Sequence, residues 1–149
     1  MKKEVLILLK KEIKNLDSAA TILRYSYDNC RKIGIKKKFS YEELDQFESL
    51  TSRFARMSDL LIKKVFRLIE RLDMEAMETV RDSINRAEKI GLISNADVFS
   101  EIRILRNEIA HQYQADEFAE IFKQVLLLSP VLFSCVAQVK QYIKKYQVR

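Results

Sequence analysis

The segment SYEELDQFESLTSRFARMSDLLIKKVFRLIERL, which opens at Ser40, runs for about nine helical turns without a glycine or a proline. Leu44, Phe47, Leu50, Phe54, Met57, Leu61, Val65 and Leu68 follow one another along it at steps of three or four. That period lines one face of a helix and cannot line one face of a strand, whose repeat is two. The spacing therefore predicts one long helix, and a helix of this length is stable in water only if its apolar stripe is covered. The cover has to come from other helices, because the 3,4 spacing recurs through the chain. The Met and Phe positions of the stripe read as core in preference to a partner groove.

Val5, Leu8, Leu9, Ile13, Leu16, Ala20 and Leu23 predict a long first helix ending near Gly34. KKKF reads as a loop, and Ser40 with Glu43 three residues on is a capping box for the long second helix. A third helix is expected from about Met74 to Ile90, closed by Gly91. Asn95 or Asp97 opens a fourth, ADVFSEIRILRNEIAHQY, and Asp116 caps a last segment that Ser129-Pro130 should kink or break. With two glycines, one proline and 48% apolar residues in 149, little room is left for disorder. The expected fold is all-α: an up-and-down bundle of four to six helices, kinked at Pro130, forming a single domain over residues 1–149.

Composition narrows the chemistry. Cys30 and Cys135 are far apart and lack a CxxC partner, so they read as free thiols in or near the core. One histidine and two scattered thiols do not make a zinc site, which removes metallonuclease and metalloprotease readings; no metal and no cofactor is expected. VLILL is too short for the apolar centre of a signal peptide and runs directly into KKEIKNL, and no apolar run approaches the length needed to span a bilayer. The chain reads as soluble, cytoplasmic and free of membrane. Its formal net charge of +6 favours polyanionic partners, although KIGIKKK and IKKY, each taken alone, read as solvated helix ends and loops.

The single histidine lies in RILRNEIAHQYQAD, at the end of the fourth helix. At about 100° per residue, Val98, Ile102, Leu105 and Ile109 fall in one narrow stripe, the expected buried face. Asn107 and His111 share a stripe on nearly the opposite side, while Arg106 and Tyr113 lie along one flank of the core stripe with Arg103 and Ala110 beside them. A core histidine would stand among the aliphatics, and His111 does not. An isolated exposed histidine near a helix C-terminus needs only the helix dipole to explain it. Here, however, two guanidinium groups, an amide, an imidazole and a phenol converge on one polar surface.

Imidazole carries protons near neutrality, guanidinium grips phosphate in a bidentate manner and stabilises charge on a phosphoryl group in transit, and an amide can orient either. Such a set suits metal-free RNA cleavage, in which the 2′-hydroxyl attacks the adjacent phosphate. That reaction needs a base, an acid for the 5′-leaving oxygen and a cation for the phosphorane. One histidine cannot readily serve as both acid and base, but two copies meeting across a two-fold axis can. A homodimer is therefore part of the chemical expectation.

RNEIAH followed by QY has the form Rx4HxY and resembles the signature of HepT-type toxins in the HEPN superfamily. FESLTSRFARMSDLLIKKVFRLI is similar to the long second helix of that family in its aromatic, Arg and Met-x-Asp pattern, and the likeness extends over roughly residues 16–113. The resemblance implies a HEPN-like bundle and a homodimeric, metal-independent endoribonuclease toxin of a toxin–antitoxin system. Catalytic Arg106 and His111 from both protomers would line a cleft, with Asn107 and Arg103 orienting the RNA substrate. It also implies an antitoxin with a small nucleotidyltransferase (MNT) fold that neutralises the toxin by binding and by AMPylation of Tyr113. The alternative is a non-catalytic helical partner, the substrate-binding subunit of such a nucleotidyltransferase. A third reading, an RNA-binding adaptor, rests on net charge alone.

Overall fold

The computed structural model describes residues 2–111 and 118–146. They form an all-α bundle of five helices, with no strand among the described residues. Helix α1 is Lys2–Ile33. Helix α2 occupies 41–72 and is α-helical over Tyr41–Asp59, π-helical over Leu60–Val65 and α-helical again over Phe66–Leu72. Helix α3 is Val80–Lys89, α4 is Ala96–Ala110, and α5 is Phe118–Ile143, which tightens into a 3-10 turn over Lys144–Tyr146. Helix α2 lies at the centre and packs against each of the other four.

Local signals set most of these boundaries. Gly34 takes the left-handed conformation (φ 74°) and its amide bonds to the Cys30 carbonyl at 3.0 Å, closing α1 where a side chain would strain the backbone. At the start of α2 the capping box is complete: Glu43 N–H donates to Ser40 Oγ at 3.1 Å, and Ser40 N–H donates to Glu43 Oε1 at 2.9 Å. Asn95, rather than Asp97, caps α4, accepting from the Val98 amide at 3.1 Å. Asp116 lies outside the described residues.

The long second helix is continuous, as its apolar period predicts, and the π turn within it has a physical cause. Met57, Leu61, Val65 and Ile69 are all fully buried at successive steps of four. In a 3.6-residue helix each such step overshoots by about 40°, so the stripe would wind off the core. The wider turn at Leu60–Val65 absorbs that drift. The Met and Phe stripe is core, with Phe47 stacked on Phe122 at 4.4 Å and Phe66 tilted against Phe99 at 5.7 Å.

Two expectations are corrected. Helix α3 starts at Val80, not near Met74, because residues 73–79 are held as a connector. Met74 adopts φ 57°, the buried Glu70 carboxylate accepts the Met77 amide at 3.1 Å, and Arg67 Nη1 donates to the Met77 carbonyl at 2.8 Å. Thr79 then caps α3 through the Asp82 amide. Of the kink or break expected at Ser129-Pro130, the break does not occur: α5 continues through the proline. The proline ring is exposed, and Ser129 Oγ donates back to the Val125 carbonyl at 2.7 Å, as a hydroxyl can within a helix.

By length and composition the segment from Phe118 to Tyr146 is also apolar enough to cross a membrane, unlike the sequence expectation. It is charge-free from Gln124 to Val139. In the bundle its inner face, including Ile121, Phe122, Val125, Leu132 and Val139, is buried against α1, α2 and α4.

Its far end is tied down at Asp73, just past α2. That carboxylate accepts from Arg86 Nη2 at 3.0 Å and from the hydroxyls of Tyr142 and Tyr146, and Lys145 stands 3.5 Å away. Burial pushes the Asp73 carboxyl up, but the tyrosine and arginine hydrogen bonds and the Lys145 charge together hold it below its ordinary range. Cys30 and Cys135 are free and buried; burial pushes the Cys30 thiol up to about 11 and raises that of Cys135 as well, so both are inert packing residues.

Candidate functional site

Helix α4 turns Phe99, Ile102 and Leu105 into the core, while Val98 and Ile109 are half-buried. The buried stripe is thus centred closer to Phe99, which packs against the Phe66 ring, than the sequence wheel placed it. On the outer side Arg103, Ile104, Asn107, Ala110 and His111 are exposed. Ile104 is 58% exposed, so an apolar side chain stands one turn before Asn107 on that outer side.

The helix ends at Ala110, three residues earlier than its pattern suggests. His111 is the C-cap residue, with extended backbone (φ −92°, ψ 152°) and its amide shared between the Asn107 and Glu108 carbonyls at 3.3 and 3.2 Å. A wheel therefore does not fix the direction of its imidazole; the exposure of the residue is what keeps it off the core. Tyr113 lies outside the described residues, and so does its expected alignment with Arg106.

Arg106 is the best-defined member of the set. Its Nε donates to Asp59 Oδ1 and its Nη2 to Asp59 Oδ2, both at 2.8 Å, a bidentate fork between α4 and the last α-helical residue before the π turn of α2. Both side chains are partly exposed, 25% for Arg106 and 30% for Asp59. The hydrogen bonds it donates to Asp59 raise the Arg106 guanidinium above its ordinary value. Burial pushes the Asp59 carboxyl up, but the hydrogen bonds and charge of Arg106, with Lys63 at 3.7 Å, outweigh it and hold the acid ionised. Among the described residues no partner engages Arg106 Nη1, and none engages the side chains of Arg103, Asn107 or His111.

Arg106 is thus oriented, with one edge anchored and, among the described residues, Nη1 without a partner. Asp59 was visible in the sequence only as the acid of MSD; nothing local pairs it with an arginine 47 positions away. The described residues contain no group of three or more His, Cys, Asp or Glu side chains able to hold a metal ion. No protein-family model matches the chain. Nor does any curated protein match it.

Proposed function

We propose that this chain is a HEPN-type, metal-independent endoribonuclease toxin that works as a homodimer. The observation that carries the reading is the outward stripe of α4. The outer side of this helix presents Arg103, Asn107 and Ile104, with no side-chain partner for Arg103 or Asn107 among the described residues, then an exposed His111 at the C-cap, and an anchored Arg106 on the flank toward α2. A two-fold contact along this side, with Ile104 buried at its edge, would bring two such sets together. In the proposed reaction one imidazole takes the 2′-hydroxyl proton as the 2′-oxygen attacks phosphorus. The bond from phosphorus to the 5′-oxygen breaks, and the leaving oxygen takes a proton from the second imidazole. Arg106 of each protomer balances the charge that builds on the phosphorane. The products are a 2′,3′-cyclic phosphate and a free 5′-hydroxyl. In this reading an MNT-fold antitoxin restrains the enzyme by binding and by AMPylation of Tyr113, which would set a bulky anion beside the guanidinium.

A second reading rests on the Arg106–Asp59 fork. A guanidinium committed to a carboxylate also serves to tie α4 to α2, and the chain would then be a non-catalytic helical partner of a small nucleotidyltransferase. Incubation of the purified protein with RNA in EDTA separates the two. The toxin reading expects fragments ending in cyclic phosphate, with the rate falling by at least about a hundredfold in His111→Ala while folding and dimerisation persist. Cleavage that survives His111→Ala, or an inert wild-type protein that still binds the nucleotidyltransferase, refutes it.

A further inference from the structure

Beside Asp59, on the side of α2 that faces α1, runs a groove of about 620 Å³. Asn15, Ser18, Ala19 and Ile22 form its α1 wall, and Arg56, Asp59, Leu60, Lys63 and Lys64 form its α2 wall. Its length coincides with the start of the π turn, where the backbone of α2 widens. A loose ion pair between Lys64 and Glu12 (3.8 Å) crosses one end. The lining combines a mostly apolar floor with a few polar groups, and its volume suits a small ligand or a nucleotide.

Its charge points the same way. Arg56, Lys63, Lys64 and the adjoining Arg106 outnumber the carboxylates Glu12 and Asp59. Lys63 and Lys64 are more than 60% exposed and contact their acids only at 3.7 and 3.8 Å, so an incoming anion can recruit them at little cost. Asp59 is the shared wall, lining the groove while its two oxygens hold Arg106.

We infer that this groove is a nucleotide subsite for single-stranded RNA adjoining the phosphate presented to Arg106. A base lies against Ala19, Ile22 and Leu60, Asn15 and Ser18 address its polar edge, and Lys63 and Lys64 hold the flanking phosphates. Placing the site next to the scissile phosphate rests on the ribonuclease reading above; binding of the strand does not. The groove gives that reading a substrate class, single strands whose bases can be turned out of a stack.

The probe is a short RNA methylated at every 2′-oxygen, which binds but has no nucleophile, followed by fluorescence anisotropy. Ser18→Trp fills the groove from its exposed wall and should weaken binding at least about tenfold with the unfolding temperature unchanged. A Lys63→Gln, Lys64→Gln double variant should weaken it comparably and flatten the salt dependence; it also serves if Ser18→Trp fails to fold. Wild-type affinity in both variants overturns the subsite, as does a loss of binding that merely tracks dissociation of a dimer, which would make the groove a contact between copies. The probe cannot be cut, so a wild-type protein that binds through the groove yet cleaves no RNA keeps the subsite and loses the nuclease. A protein that cleaves and tolerates both variants does the reverse.

Discussion

Asp73 and Asp59 show how the same side chain makes two different contributions. The Asp73 carboxylate is 10% exposed and holds Arg86, Tyr142, Tyr146 and Lys145 around it. Removing it strands a partly buried guanidinium and two hydroxyls, so Asp73→Ala should cost about 3 kcal/mol in denaturant unfolding. Asp59 is more open, and its fork with Arg106 contributes less to stability than to the direction in which the guanidinium points. Both carboxyls are held below their ordinary range in the folded chain. The unfolded chain therefore takes up protons first as pH falls. The stabilisation is complete above an unfolded aspartate value of about 4 and drains away as pH drops through the lower folded values. Unfolding temperatures measured from pH 6 to pH 2 should fall over that acid window, and less steeply in Asp73→Asn. Equal slopes for the two proteins would deny Asp73 this part.

Among the helices, α5 is the one that keeps its form against a local signal. Pro130 withholds one amide from the ladder, yet the helix runs on because its inner residues are packed along α1, α2 and α4. The proline is exposed, so its replacement creates no cavity. Pro130→Ala should restore the missing hydrogen bond and raise stability by about 1 kcal/mol, less than the full proline penalty because the native helix has already adapted. A destabilised variant in thermal unfolding would mean that the proline geometry is required by the packing of α5. Gly91, at φ 84°, shows the opposite agreement between signal and structure: it ends α3 where the chain must turn back for Leu92 to bond to the Ala87 carbonyl.

For the molecule as a whole, the outward stripe of α4 is both the proposed chemical surface and the proposed two-fold contact. Ile104 is then a test that spares the catalytic groups. Ile104→Arg should convert a dimer to a monomer in sedimentation equilibrium, leave the unfolding of the protomer unchanged within about 0.5 kcal/mol, and abolish RNA cleavage. A variant that stays dimeric and active places the contact elsewhere.

Much of this architecture was legible along the chain. The apolar period marked α1 and the uninterrupted α2, Ser40 marked the start of α2 and the pair Asn95 and Asp97 bracketed that of α4, Gly34 and Gly91 marked ends, and the wheel put Arg103 and Asn107 outside the core. These follow from interactions within a turn or two, which a linear string records directly. The packed fold alone decided the rest: that Asp59 holds Arg106, that Asp73 gathers the end of α5, that α2 widens at Leu60 to keep its stripe inward, and that a groove opens beside that turn. Each of these joins residues tens of positions apart or a register drift summed over several turns. Such partners are set by how helices lie against one another, and no local pattern of residues encodes that distance.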